Sequence, residues 1–221
     1  MEQEKLLHLL FQLPAFVSAL TIHEFAHAWM ANRLGDDTPR RMGRLSMDPL
    51  VHLDPFGSLM FVFSALVGFG IGWAKPVPFN PRNLENPRHG AILIALAGPV
   101  SNLIQAPIWL FMLWIFRLAA QNSPALAASP ITVFMLQVLS MGVIINVLLA
   151  AFNMVPIPPL DGHWVLEGLG PPAVTDFYNS IRPYSFIILI GLLWTGVISR
   201  AIAPFMGLAQ RAVSFALGAG F

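Results

Sequence analysis

Between Ala91 and Ala120 the chain runs for thirty residues with a single charged side chain, Arg117. A helix needs about 17–25 consecutive apolar residues to cross the hydrocarbon core of a bilayer, so this run is long enough to span. It does not stand alone. Leu6–Met30, Ile131–Asn153 and Tyr184–Leu208 are apolar over comparable lengths. Backbone polar groups in lipid must be satisfied within the segment, which restricts spanning structures to helices and closed barrels, and runs of this length select helices. Only 10% of the residues are charged, against about 25% in a soluble domain. The expectation is an all-α polytopic membrane protein of about four spanning helices, with residues 1–221 forming one integral-membrane domain. Met1–Lys5 is a poor signal-peptide start, and the apolar stretch that follows reads as a retained helix.

A fifth apolar stretch, Phe56–Ile71, has sixteen residues and is too short to cross. The basic residues say what it does instead. Seven of the twelve Lys and Arg fall in two connections, Arg33–Asp54 and Lys75–Arg88, whereas Gln121–Pro130 has none. The positive-inside rule places both basic connections on the cytoplasmic side and the uncharged one outside. Phe56–Ile71 must then enter and return as a re-entrant segment packed against the other helices. Arg44–Met47 and Trp73–Asn80 on either side of it read as short strands, which predicts a small β-sheet at the cytoplasmic rim. Pro76 and Pro78, two apart, would deny one edge its N–H donors. The free edge, along Arg44–Met47, could hold an unwound substrate strand.

The first apolar segment carries a costly cluster near its end: His23-Glu24-Phe25-Ala26-His27, the pattern H-E-x-x-H. Four residues are just over one helical turn, so both imidazoles project from one face and can share a metal ion, with Glu24 beside them to take a proton from the attacking water. Ionisable groups in a membrane helix face a partner or a cavity, and a polar patch gluing helices together is the bland alternative. The chain has no cysteine, which excludes disulfides and thiolate ligands and leaves His and carboxylates as metal ligands. A third ligand is required. Asp161, in Asn153-Met154-Val155-Pro156-Ile157-Pro158-Pro159-Leu160-Asp161-Gly162, is the candidate. By spacing alone an Asp before a helix is equally well an N-cap.

These motifs together resemble the site-2 protease family of intramembrane zinc metalloproteases, in its short bacterial form without a PDZ domain. H-E-F-A-H lies in a first helix, Ala97-Gly98-Pro99-Val100-Ser101-Asn102 in a later one, and N-x-x-P-x-P-P-L-D-G follows. Gly43–Gly57 and Gly72–Arg88 also look like that form. The resemblance implies one zinc ion (Zn2+) per chain on His23, His27 and Asp161, Glu24 as the catalytic base, and Asn153 as a polar group near substrate or oxyanion. It further implies membrane-protein substrates and a bacterial plasma-membrane location, and the charge distribution puts the site toward the cytoplasm. The chain departs from many relatives in lacking a PDZ-like insertion and a spanning helix before the H-E-x-x-H helix. His163, after Gly162, stands where relatives often carry a small residue and is open between a supporting, substrate-binding and interfacial role.

Elsewhere the ordinary readings lead. His52 and Asp54 read as loop and turn residues, with a capping or gating role at the metal as the alternative. Asn102 reads as glue between helices. Trp73, Trp109, Trp114, Trp164 and Trp194 read as interface anchors or packing. A net charge of +1 gives no sign of a nucleic-acid partner. Two rival functions remain in view. An intramembrane metal transporter would spread its His and acidic residues over several depths, and a non-catalytic scaffold of the same fold would not need Glu24.

Overall fold

The computed structural model describes residues 2–67 and 72–218, without the side chains of 2–8 and 64–67. Ten α-helices follow in order: α1 Glu2–Arg33, α2 Thr38–Arg41, α3 Pro55–Val67, α4 Pro87–Gln121, α5 Pro124–Ala127, α6 Pro130–Asn153, α7 Gly162–Leu169, α8 Pro172–Ile181, α9 Ser185–Trp194 and α10 Val197–Ala216. Three of them, α1 from Leu9 onward, α4 and α6, are long and apolar enough to cross a membrane. The stretch from α8 through α10 makes a fourth if the bent pair counts as one span.

Helices α1, α4 and α6 form the core, and small residues let them approach. Ala15, Ala19, His23, His27 and Ala31 recur every four residues along one face of α1, and all are buried. On α4 the facing positions are Ile94, Gly98 and Asn102, also four apart and buried. Rows at this spacing are the ridges that interlock when two helices pack. Farther along α4 the ring of Trp109 lies over Gly142 of α6, where a Cβ would stand 2.2 Å from the indole. Trp109 is therefore packing. Leu113, Leu139 and Ala216 close this end of the bundle.

The last apolar run is not one helix. It breaks between Trp194 and Val197, and the axis turns by 63°. Gly196 at the break has φ +72, a left-handed conformation that glycine adopts freely. Its N–H is taken by Leu193 O, which ends α9.

The expected rim sheet is absent: the described residues hold no strand, only an isolated antiparallel bridge between Leu53 and Ala74. Long-range partners outcompete the ladder. The Arg44 guanidinium donates to the carbonyls of Val51, Lys75 and Pro76, occupying acceptors a partner strand would need. Around Arg44 the chain turns rather than extends, with Gly43 left-handed and Asp48 capping a single 3-10 turn at Pro49–Val51. Pro76 and Pro78 bring no N–H, and the N–H groups of Lys75, Val77 and Asn80 go to His52 O, the Glu24 carboxylate and the Asp36 carboxylate. An edge for substrate along Arg44–Met47 therefore falls with the sheet.

The two basic connections meet. Asp36, just past α1, accepts from Thr38 N and Oγ1, Asn80 N and Asn83 Nδ2, and so ties the second connection to the first. Burial alone would raise this carboxyl, but the donors outweigh it and hold it below its ordinary range. A depressed carboxylate stabilises the fold above its unfolded pKa of about 3.9 and loses that contribution as pH falls through its lower folded value. Protection of the amides over 74–83, measured against the exchange rate of the unfolded chain at the same pH, should therefore hold at neutral pH and be lost only below about pH 4. In Asp36→Ala the protection of Asn80 N should be reduced at every pH.

Helix α3 spans thirteen residues, about 20 Å at 1.5 Å per residue, which is short of a hydrocarbon core of about 30 Å. Its outward side chains, Phe56, Leu59, Met60 and Phe63, are apolar and exposed. The chain comes back to where it started: Gly57 is packed against Trp73, and Gly72 against Phe61 and the Gly57 carbonyl. Residues 68–71 of the expected re-entrant stretch lie outside the described residues.

Candidate metal centre

His23 and His27 sit one turn apart on α1, with their rings 4.6 Å apart between centroids. Each ring is pinned through Nδ1 by α4. His27 Nδ1 donates to Ile94 O at 2.7 Å, and His23 Nδ1 pairs with Asn102 Oδ1 at 2.6 Å. Between these two bonds Gly98 leaves a gap: a Cβ there would stand 2.4 Å from His27 Nε2 and 2.6 Å from His23 Nε2. One face of α4 thus supplies a carbonyl, a void and an amide at successive turns, and the two Nε2 atoms converge on the void.

Asp161 closes the group from the other side. Its Oδ2 is 3.3 Å from His23 Nε2 and 3.4 Å from His27 Nε2. The N-cap alternative fails, because Asp161 has helical dihedrals and its carboxylate caps nothing. The loop that carries it is fixed at several points. Pro156, Pro158 and Pro159 prevent α6 from continuing past Asn153, and the Tyr178 hydroxyl donates to Pro156 O. Leu160 is buried with Leu189, Ile198 and Ile202. Gly162 is packed so closely on the backbone of Met154 and Val155 that a Cβ would stand 2.3 Å from a carbonyl oxygen.

This geometry suits a cation. With Nδ1–H committed on both histidines, each Nε2 presents a lone pair, and the two lie 3.0 Å apart. The third atom, Asp161 Oδ2, is buried without a hydrogen-bond donor. Three buried lone-pair donors facing one another repel unless a positive charge lies among them. A tetrahedral zinc site with bonds of about 2.0–2.1 Å sets its ligand atoms about 3.3 Å apart, which is the spacing here. The residues therefore fit zinc, and two neutral imidazoles with one carboxylate are a donor set it favours. Among the described residues no other group of three or more His, Asp or Glu could hold a metal. A transport path would need sites at several depths.

Glu24, next to the first histidine, is buried. Its Oε2 accepts the Val77 N–H at 3.2 Å, so the extended segment 74–80 lies against it. Asn153, the last residue of α6, bonds to Leu149 O of its own helix through one amide proton. His163 is buried, donates from Nδ1 to Leu160 O and packs on Trp164 and Tyr178. Asp54 accepts from Gly57 N at the start of α3, and His52 Nε2 bonds Ser46 O, so both serve the turn. Sequence reasoning missed Arg44, Asp36, Ile94 and Asn146. For Ile94 the signal was present in its spacing of four from Gly98.

A bundle of membrane-length helices holding a buried two-histidine, one-carboxylate centre beside a glutamate defines an integral-membrane metal-dependent hydrolase. The chain belongs to peptidase family M50, whose model matches residues 11–192; this is the site-2 protease family. It is 36% identical over 197 residues to a Bacillus subtilis protein provisionally named zinc metalloprotease YwhC, covering 89% of this chain and 86% of that one. It is 29% identical over 188 residues to a Mycolicibacterium smegmatis protein provisionally named zinc metalloprotease Rip2, covering 85% and 68% respectively. A shorter match, 39% identical over 74 residues, is to MJ0611 of Methanocaldococcus jannaschii, named in the same way, with 34% of this chain and 32% of that one covered. No solved structure matches the chain.

Proposed function

We propose that residues 1–221 act as one intramembrane zinc endopeptidase, with His23, His27 and Asp161 as metal ligands and Glu24 as the catalytic base. The reading is carried by the convergence of His23 Nε2, His27 Nε2 and Asp161 Oδ2 at 3.0–3.4 Å. Zinc bound there supplies Lewis acidity toward water and the scissile carbonyl. The chain does the rest. Glu24 Oε1 takes a proton from the attacking water and returns it to the leaving amine, while Oε2 keeps its bond to Val77 N. Asn153 retains one amide proton, the candidate donor to the oxyanion. Substrate helices must unwind locally, since an intact helix hides its carbonyls in hydrogen bonds. Metal analysis of the purified protein, paired with cleavage of a model transmembrane peptide, tests the reading. Stoichiometric zinc with a chelator-sensitive cut supports it, and a metal-free active protein sinks it.

The same reading gives an orientation: site and basic connections toward the cytoplasm of a bacterial plasma membrane, with α3 re-entrant. The ligands favour the re-entrant path. Asp161 follows α6, and an extra crossing by α3 would place it a hydrocarbon core of about 30 Å away from the histidines. Single cysteines at Asp37 and Asn80, in this cysteine-free chain, should be labelled from one face and a cysteine at Ser123 from the other. Labelling of Asp37 and Asn80 positions from opposite faces would remove Asp161 from the ligand set.

A further inference from the structure

We infer that Asn102 and Asn146 form a proton-directing relay that holds His23 in the tautomer able to bind metal, which makes Asn102 a positioning residue of this centre. The inference deepens the zinc reading and rests on it. Both asparagines are fully buried in the middle of the helical core. Asn146 Nδ2 donates to Gly142 O at 2.8 Å. Asn102 Nδ2 donates to Asn146 Oδ1 at 2.9 Å and to Ala19 O at 3.2 Å. Asn102 Oδ1 is then left facing His23 Nδ1 at 2.6 Å.

The direction of every proton in this chain follows from its ends. Ala19 O and Gly142 O are backbone carbonyls, which can only accept. Asn146 must turn its amide nitrogen to Gly142, so its oxygen faces Asn102. The Asn102 nitrogen has two protons and two acceptors, Asn146 Oδ1 and Ala19 O, and a flipped amide would set oxygen against oxygen at both. Its own oxygen is thereby fixed toward His23, which must carry its proton on Nδ1. The lone pair on Nε2 is the consequence, and it points at Asp161 Oδ2 and the Gly98 gap. His27 obtains the same tautomer from one backbone carbonyl, Ile94 O. His23 has no such carbonyl and is served by a side chain whose orientation is enforced by α1 and α6. In a dry core an unpartnered amide is expensive, so each amide takes the orientation that satisfies its neighbours.

The test uses the full chain in detergent, with two readouts that a merely structural asparagine would not move. The first is zinc affinity by competition with a chelator. Loss of a partner behind a ligating histidine typically weakens metal binding about 10–100-fold, and that is the expected effect of Asn102→Leu. Asn102→Asp keeps an oxygen acceptor for His23 but sets its second oxygen against Asn146 Oδ1 and Ala19 O, so it should recover only part of the loss. Asn146→Leu leaves Ala19 O still orienting Asn102 and should have the smaller effect. The second readout is the His23 tautomer, by nitrogen NMR of the histidine-labelled, metal-free chain. Wild type should show Nδ1–H, and Asn102→Leu should shift the population toward Nε2–H. Thermal unfolding of the metal-free variants separates these effects from loss of fold. Asn102→Leu that is destabilised but binds zinc with wild-type affinity and keeps the Nδ1–H tautomer would overturn the relay. Wild-type protein that binds no zinc would overturn the proposed function instead, and the tautomer would still decide the relay.

Discussion

Glu24→Gln should abolish peptide cleavage while zinc stays bound. A general base typically contributes about 10²–10⁴ in rate, so turnover should drop by at least about a hundredfold once the water has no acceptor for its proton. Zinc should remain because Glu24 is not among the three converging donors, which are His23 Nε2, His27 Nε2 and Asp161 Oδ2. The amide still accepts the Val77 N–H that Glu24 Oε2 holds, so the segment 74–80 has no reason to move. His23→Ala, His27→Ala and Asp161→Ala should behave differently and lose metal together with activity. Zinc content and cleavage measured on the same preparations distinguish the two classes. A Glu24→Gln protein that still cuts at a wild-type rate would remove the base from the mechanism. One that loses its zinc would make Glu24 a ligand.

The part of this site that sequence reveals is the part written in local spacing. His23 and His27 are four residues apart on one helix, and that separation fixes their common face whatever else the chain does. Asp161 is harder, since its distance to the histidines lies in the path of five intervening helices. By position it could have been a cap, and resemblance of its loop to a known family was needed to choose. The failed rim sheet has the same physical origin. Arg44–Met47 and Trp73–Asn80 have strand-like local character, and Pro76 and Pro78 do leave one edge without donors. The remaining donors and acceptors went to Glu24, Asp36 and Arg44, partners that no local preference could indicate. β-Propensity describes a fit to surroundings more than a backbone preference, and here the surroundings were helices and charged side chains. Asn102 shows the limit most sharply. That a buried amide in an apolar helix must have a partner was legible. That the partner is His23 was not. The break at Gly196 was hidden for another reason: glycine is common in membrane helices, and nothing local told this one from the rest.

Gly98→Ala should eliminate zinc binding although it adds one methyl group and improves local helix propensity. Alanine is favoured over glycine in a helix interior by about 1 kcal/mol, so by backbone preference alone the substitution stabilises. The site reverses that outcome. The new Cβ would stand 2.4 Å from His27 Nε2, and 2.6 Å from both Cε1 and Nε2 of His23. Contacts that short cannot persist, and little can yield. Each ring is tied through Nδ1 to the same helix that would carry the methyl, at Ile94 O and Asn102 Oδ1. If the rings swing away they leave those bonds and turn their Nε2 atoms out of convergence. If α4 moves back instead, it takes the carbonyl and the amide with it, breaks the Asn102 bond to Ala19 O and opens the packing of Ile94 on Ala31. Both routes separate donors that must stay about 3.3 Å apart for zinc. The measurement is zinc retained after chelator dialysis, beside a melting curve of the metal-free protein and cleavage of the model peptide. Expected are little bound zinc, no cleavage, and a metal-free chain that still unfolds cooperatively. An alanine variant that holds zinc as tightly as wild type would mean that the rings do not converge on the Gly98 gap, and the ligand geometry proposed for this centre would fall with it.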